Sequence, residues 1–232
     1  MIRLRPADQR FHTRIDWLDS WHSFSFGEHY DPKNVGFSVL RVINDDLIAP
    51  GGGFGMHGHR DMEILTYILD GALEHRDSLG NASVLGRGRI QRMTAGRGIR
   101  HGEFNASKTE PVHLLQIWIE PGQKSLEPSY EERDLGELPI GQLRPVATPD
   151  GRQGSAILHQ DASIWAARLS AGQSVAHTPV NPRRIWLHVA QGQITLNGHE
   201  LGSGDAAAIE NESRVEITAN SGGAEILFFD LP

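Results

Sequence analysis

Met56-His57-Gly58-His59 and, further along, His101-Gly102-Glu103 decide how this chain is read. In an extended strand, side chains two apart share a face. Each run therefore offers two donors side by side: His57 with His59, and His101 with Glu103. A glycine-rich approach precedes each, Gly51-Gly52-Gly53 and Ala95-Gly96-Arg97-Gly98. Two such strands facing each other inside a small β-barrel would bring three imidazoles and a carboxylate to one point. That is the donor set of a transition metal.

The rest of the chain is compatible with such a frame. Its 232 residues suit one large domain or two smaller ones. The 26 glycines fall mostly in pairs or between short apolar runs, which implies many tight turns and an all-β protein. A formal charge of −7 argues against direct nucleic-acid binding, because phosphate contacts need a basic face. With no cysteine, disulfides, thiolate zinc sites and iron–sulfur clusters are excluded. The opening residues lack the apolar core of a signal peptide and no apolar run is long enough to span a bilayer, so no membrane role and a cytoplasmic location are expected.

Alternation and turn residues place the strands. Trp17 to Phe26 alternates aromatics, and Phe37 to Ile43 is a β-branched strand that Asn44-Asp45-Asp46 is expected to stop. Glu63 to Leu69 ends at the hairpin signal Asp70-Gly71, and Ala72 to Asp77 returns. Arg89 to Thr94 leads to the second donor run, and Val112 to Ile119 closes the first half. Residues 121–149, with five prolines and the charged run Glu131-Glu132-Arg133-Asp134, read as a linker with one short helical turn. The expected domains are thus 1–120, metal-binding, and 150–232, a degenerate copy.

The copy is suggested by two echoes. Ile185 to Gly192 resembles Leu65 to Gly71, and Ala224 to Asp230 resembles Leu114 to Glu120. His177 stands in the place of His57, but Thr178 and Pro179 follow it, so the second histidine of the pair is missing. One half binds metal and the other is structural.

Nitrogen and oxygen donors without thiolate suit Fe(II), Mn, Co, Ni, Cu or Zn. Zinc is less attractive, since four protein ligands would give it a closed site. Glu63 rivals Glu103 as the oxygen ligand: if the first strand continues unbroken, it shares the face of His57 and His59. Position within the second run favours Glu103, with Glu63 acting from behind a ligand. Asp61 reads as a solvated turn residue. His22, His29, His75, His113, His159, His188 and His199 read as ordinary surface or hydrogen-bonded histidines.

His57-Gly58-His59-Arg60, the block Met93 to Glu103, the His-x3-Asn spacing from His101 to Asn105 and the opening Trp17 to Phe24 resemble the cupin superfamily and, within it, the pirin-like bicupins. The resemblance covers nearly all of residues 1–120. It implies two cupin-type β-barrels, the first alone holding one divalent metal, Fe(II) foremost, through His57, His59, His101 and Glu103. It also implies a quercetin 2,3-dioxygenase activity that opens the central ring of a flavonol with O2 and releases carbon monoxide. On that reading Glu103 is the catalytic base and the partners are a flat aromatic flavonol and O2. Phe54, Met56, Met93 or Trp118 would then hold the ligand. The alternative is a non-enzymatic, metal-dependent module that acts as cofactor of a transcription regulator, a regulatory protein partner.

Overall fold

The computed structural model describes residues 1–180 and 182–232. Its regular secondary structure is strand, apart from single turns of 3-10 helix at Ala7–Gln9 and Arg152–Gly154. Among the described residues, no helix is long and apolar enough to cross a membrane. The chain forms two compact units: Phe11–Gly136 with Ala156–Gln160, called here the N-terminal unit, and Met1–Arg10, Glu137–Ser155 and Asp161–Pro232, the C-terminal unit.

Strands are numbered along the chain. The first belongs to the C-terminal unit: β1 (Ile2–Arg5). The N-terminal unit holds β2 (Phe11–Ile15), β3 (Leu18–His22), β4 (Leu40–Ile48), β5 (Gly53–His59), β6 (Glu63–Asp70), β7 (Ala72–Asp77), β8 (Ala82–Gly86), β9 (Arg89–Thr94), β10 (Ile99–Asn105), β11 (Val112–Ile119) and β12 (Ser129–Asp134). After β13 (Arg144–Thr148), the short β14 (Ala156–Ile157) returns to it. The C-terminal unit continues with β15 (Ser163–Leu169), β16 (Ser174–His177), β17 (Arg184–Leu196), β18 (His199–Gly202), β19 (Ala206–Glu210) and β20 (Val215–Leu231).

In the N-terminal unit a seven-stranded antiparallel sheet runs β12–β9–β6–β11–β4–β3–β2, and a second sheet runs β5–β10–β7–β8. The central strands β6 and β11 are buried on both faces; on one of them Leu18, Ile48, Ile68, Val112 and Leu114 pack with Leu73 and Leu85 of the second sheet, and Ile64 packs with Met93, Ala95 and Ile99. The C-terminal unit repeats the same order, β1–β19–β17–β20–β15–β13, with β16 laid on the first part of β20 and β18 on the last part of β17. Its core is a single apolar cluster that includes Leu187, Val189, Leu196, Val215, Ile217 and Phe228.

Two sequence expectations differ from this arrangement. Residues 121–149 contribute a strand to each unit: β12 pairs with β9, and β13 with β15. The polar run Ser129–Asp134 lacks apolar alternation because it is an edge strand, where one partner suffices. The helical turn lies just beyond, at Arg152–Gly154. Likewise, β4 does not stop at Asn44-Asp45-Asp46 but continues to Ile48, because it is paired on both sides, with β3 and β11. Turn-forming preference yields to that pairing.

Candidate metal centre

β5 and β10 are neighbours, and His57 lies directly opposite His101. Between Phe54 and His57, β5 carries one residue more than the facing stretch of β10, where Glu103 opposes Phe54. This bulge sets Phe54 and His57, three apart, on one wall. Because His57 and His59 share a face, three imidazoles meet: ring centroids are 4.5 Å apart for His57 and His101, 4.6 Å for His57 and His59, and 4.9 Å for His59 and His101. One ring nitrogen from each lies within 4.8 Å of the other two.

The nitrogens are prepared for a cation. His57 Nδ1 donates to the Gly55 carbonyl at 2.8 Å, which leaves Nε2 as a lone-pair donor. Both ring nitrogens of His101 are buried without a hydrogen-bond partner, a costly arrangement unless something else engages them. Burial, reinforced by the charges of the neighbouring imidazoles, holds His59 down to about 4. His101 is also held down to about 4, by burial foremost, with Glu103 opposing and His57 and His75 assisting. Neutral imidazole is the ligating form. The donor set thus suits a divalent metal.

Glu103 belongs to a neighbouring group. Its carboxylate oxygens gather with His101 and His75, and His101 is common to both clusters. Glu103 Oε1 accepts from Gln91 Nε2 at 2.6 Å, with Thr66 Oγ1 3.3 Å away, and Oε2 accepts from Gln116 Nε2 at 2.8 Å. His75 Nδ1 stands 3.9 Å from Oε1, a charge contact. Burial pushes the Glu103 carboxyl up, but His75, His101 and the Gln91 amide outweigh it and hold the group below its ordinary value. His75 itself is raised: burial opposes its charge, and the carboxylates of Glu103 and Asp77 prevail.

The seat of Glu103 is a row of polar residues across the sheet. Strand register places His22, Asn44, Gln116, Thr66 and Gln91 side by side on β3, β4, β11, β6 and β9. His22 Nδ1 meets Asn44 Oδ1 at 2.8 Å, Thr66 Oγ1 donates to Gln116 Oε1 at 2.9 Å, and Gln91 Nε2 donates to Thr66 Oγ1 at 2.9 Å. Tyr130 extends the network, donating to Gln91 Oε1 at 3.1 Å while stacking on His75.

Above this row lies a cavity of about 570 Å3, within the range of small-molecule sites. The three imidazoles and Glu103 line it, as do Leu18, Phe54, Ile64 and Trp118. Phe54 and Trp118 stand where the sequence reading wanted them, whereas Met56 is exposed and Met93 is buried in the core. His22 and His29, unlike ordinary surface histidines, line the cavity, and His75 backs the centre.

Glu63 lies outside both donor clusters. Asp61, at φ +50°, turns the chain between β5 and β6, so the two strands are not one face. The buried Glu63 Oε2 instead accepts from the His159 backbone N–H at 3.2 Å and faces its Nδ1 at 3.1 Å. Asp61 Oδ1 accepts from the Ser125 N–H at 2.6 Å. Gly96, at φ +46°, runs against the Leu126 carbonyl so closely that a Cβ has no room, which explains a glycine ahead of the second run.

Known proteins resemble this one along its whole length. Quercetin 2,3-dioxygenase of Escherichia coli (strain K12) is 47% identical over 100% of this chain and 99% of its own. A pirin-like protein of Caulobacter vibrioides is 38% identical, covering 99% of each. The crystal structure of the bacterial pirin YhhW from Escherichia coli, in complex with nickel(II), superposes with a TM-score of 0.95 at 46% identity, covering 100% of this chain and 99% of that one. The pirin family model matches residues 4–119 and that of the quercetinase C-terminal cupin domain matches 145–231. With two cupin-type units and three histidines meeting on a cavity wall in the first, the chain belongs to the pirin family.

Proposed function

We propose that the N-terminal unit is a metal-dependent dioxygenase of the quercetin 2,3-dioxygenase type, acting on a flavonol and O2. The observation that carries this reading is the meeting of His57, His59 and His101 on the wall of a largely apolar cavity. These three residues would hold Fe(II), with Glu103 as the fourth, oxygen donor. The nickel(II) complex of the E. coli relative shows that a related pirin accepts a divalent ion. A bound divalent ion supplies Lewis acidity, which lowers the pKa of a coordinated hydroxyl.

The chain's own residues do the rest. Phe54, Ile64 and Trp118 exclude water and lie against a flat ring system. Glu103 enters as a carboxylate at neutral pH and is the proposed acceptor of the flavonol's hydroxyl proton. Oε2 accepts from Gln116 Nε2 alone, so its second lone pair is open to the proton. Gln91, Gln116 and Thr66 meanwhile fix the carboxylate's orientation.

The test compares Fe(II)-loaded and metal-stripped protein with quercetin under air. Loss of the flavonol absorbance with carbon monoxide release, in the loaded form alone, is expected. Undiminished turnover after stripping would remove the metal from the reaction. Metal retained without turnover would favour a binding module that responds to its ion.

A further inference from the structure

One buried ionisable group in the cavity has no part in the centre just described. Asp46, on β4, is 2% exposed and lines the cavity. Its Oδ1 accepts a close hydrogen bond from Ser20 Oγ, directly opposite it on β3. Its Oδ2 makes no hydrogen bond among the described residues. That oxygen is left to the cavity, where a ligand's hydroxyl can engage it.

Position defines what such a ligand must be. Trp118, whose ring forms a T-shaped pair with that of His59 at 4.9 Å between centroids, lies opposite Val42 on β4. Val42 and Asp46 are four residues apart, roughly 13 Å along the strand at about 3.3 Å per residue. The polar row of Asn44 and Gln116 lies midway. Asp46 therefore marks the end of the cavity floor away from the His59–Trp118 contact, with the apolar Leu18 two residues from Ser20 beside it. A flat molecule with one oxygen at the imidazoles would reach Asp46 with its far ring.

We infer that Asp46, oriented by Ser20, is a specificity-determining contact that hydrogen-bonds a phenolic hydroxyl on the far ring of the aromatic substrate. This rests on the reading of the cavity as a flavonol site and narrows it to polyhydroxylated aromatics. The electrostatics agree with it. Burial pushes the Asp46 carboxyl up to about 7, against the Ser20 hydroxyl, with Asp45 and Glu103 adding to the rise and His113 opposing it. Near neutral pH the group can thus both donate to and accept from a phenol.

The test measures binding of quercetin and of 3-hydroxyflavone, which keeps only the hydroxyl meant for the metal, to the metal-loaded protein. Wild type is expected to prefer quercetin. Asp46→Ala should weaken quercetin about tenfold, the worth of one hydrogen bond to a charged or buried group, and change 3-hydroxyflavone less than about twofold. Asp46→Asn, which can still donate and accept, should restore most of the preference. If Asp46→Ala does not fold, Ser20→Ala replaces it, with a smaller loss of preference, about threefold. An unchanged ratio, or equal weakening of both ligands, overturns the inference while leaving the flavonol reading intact. Binding of neither ligand by wild type overturns both. Preference without turnover defeats the dioxygenase reading alone.

Discussion

The two units share one strand order and differ in what fills it. In the N-terminal unit His57 lies opposite His101, and in the C-terminal unit His177 lies opposite Val215. β10 pairs on its other side with β7, where Glu103 faces His75; the matching neighbours, Ile217 and Leu196, are both fully buried hydrocarbon. His177 turns instead to Asp230, at 3.5 Å, and to the Phe228 ring. Across the main sheet, the polar row of the first unit contrasts with an apolar row in the second, Leu4, Ala207, Leu187 and Phe228. The same strand order surrounds a cavity with a polar floor in one unit and an oily core in the other, according to the inward residues. In the C-terminal unit those residues add stability; in the N-terminal unit they give up close packing for a site.

The largest expected effect is from making the first unit like the second. His101→Val, which copies Val215, should abolish bound metal, read by elemental analysis. Activity should fall further than the roughly 100-fold that follows loss of an outer partner. The reverse change, Val215→His, buries an imidazole among Leu196, Ile217 and Phe228. It should destabilise the protein by about 2 kcal/mol or more in chemical denaturation and recruit no second metal equivalent.

Replacing the row that seats Glu103 gives an intermediate effect. Gln116→Leu removes the donor to Oε2, and a loss of metal affinity of roughly 10- to 100-fold is expected by calorimetry. Equal affinity in the variant would show that the row is packing and not support.

The smallest effects come from pH. Because His59 and His101 are held down to about 4, bound metal should persist through pH 5 and be released near or below pH 4, measured by dialysis. Asp46 acts in the opposite sense on stability. Its carboxyl is raised from 3.8 to about 7, so the folded state binds the proton more tightly than the unfolded chain, and stability falls as pH rises through that window. Metal-free Asp46→Asn should therefore gain in Tm over wild type at pH 8 relative to pH 5.

The three histidines were legible because each run is local: i, i+2 spacing and a preceding glycine turn need no tertiary knowledge. The strand-rich fold was legible from alternation for the same reason. The polar row was not. Asn44, Thr66, Gln91 and Gln116 are single residues on four strands, joined only by register, which no local window contains. Their one signal is a polar side chain at an inward position of an otherwise apolar strand, as with Thr66 between Leu65 and Tyr67. Asn44-Asp45-Asp46 was read as a stop because its residues favour turns, yet pairing on both sides carried β4 through them. The rivalry of Glu63 rested on an unbroken strand, and Asp61 breaks it.

The bulge in β5 has a consequence for how this cavity can vary. One surplus residue keeps an aromatic ring and an imidazole looking the same way although they are three apart. Flattening the bulge without shortening the chain would put residues three apart on opposite faces and turn either Phe54 or the histidine pair outward. Ligand wall and cation seat are thus locked in phase, so their chemistry can change by exchanging side chains, never by slipping the thread.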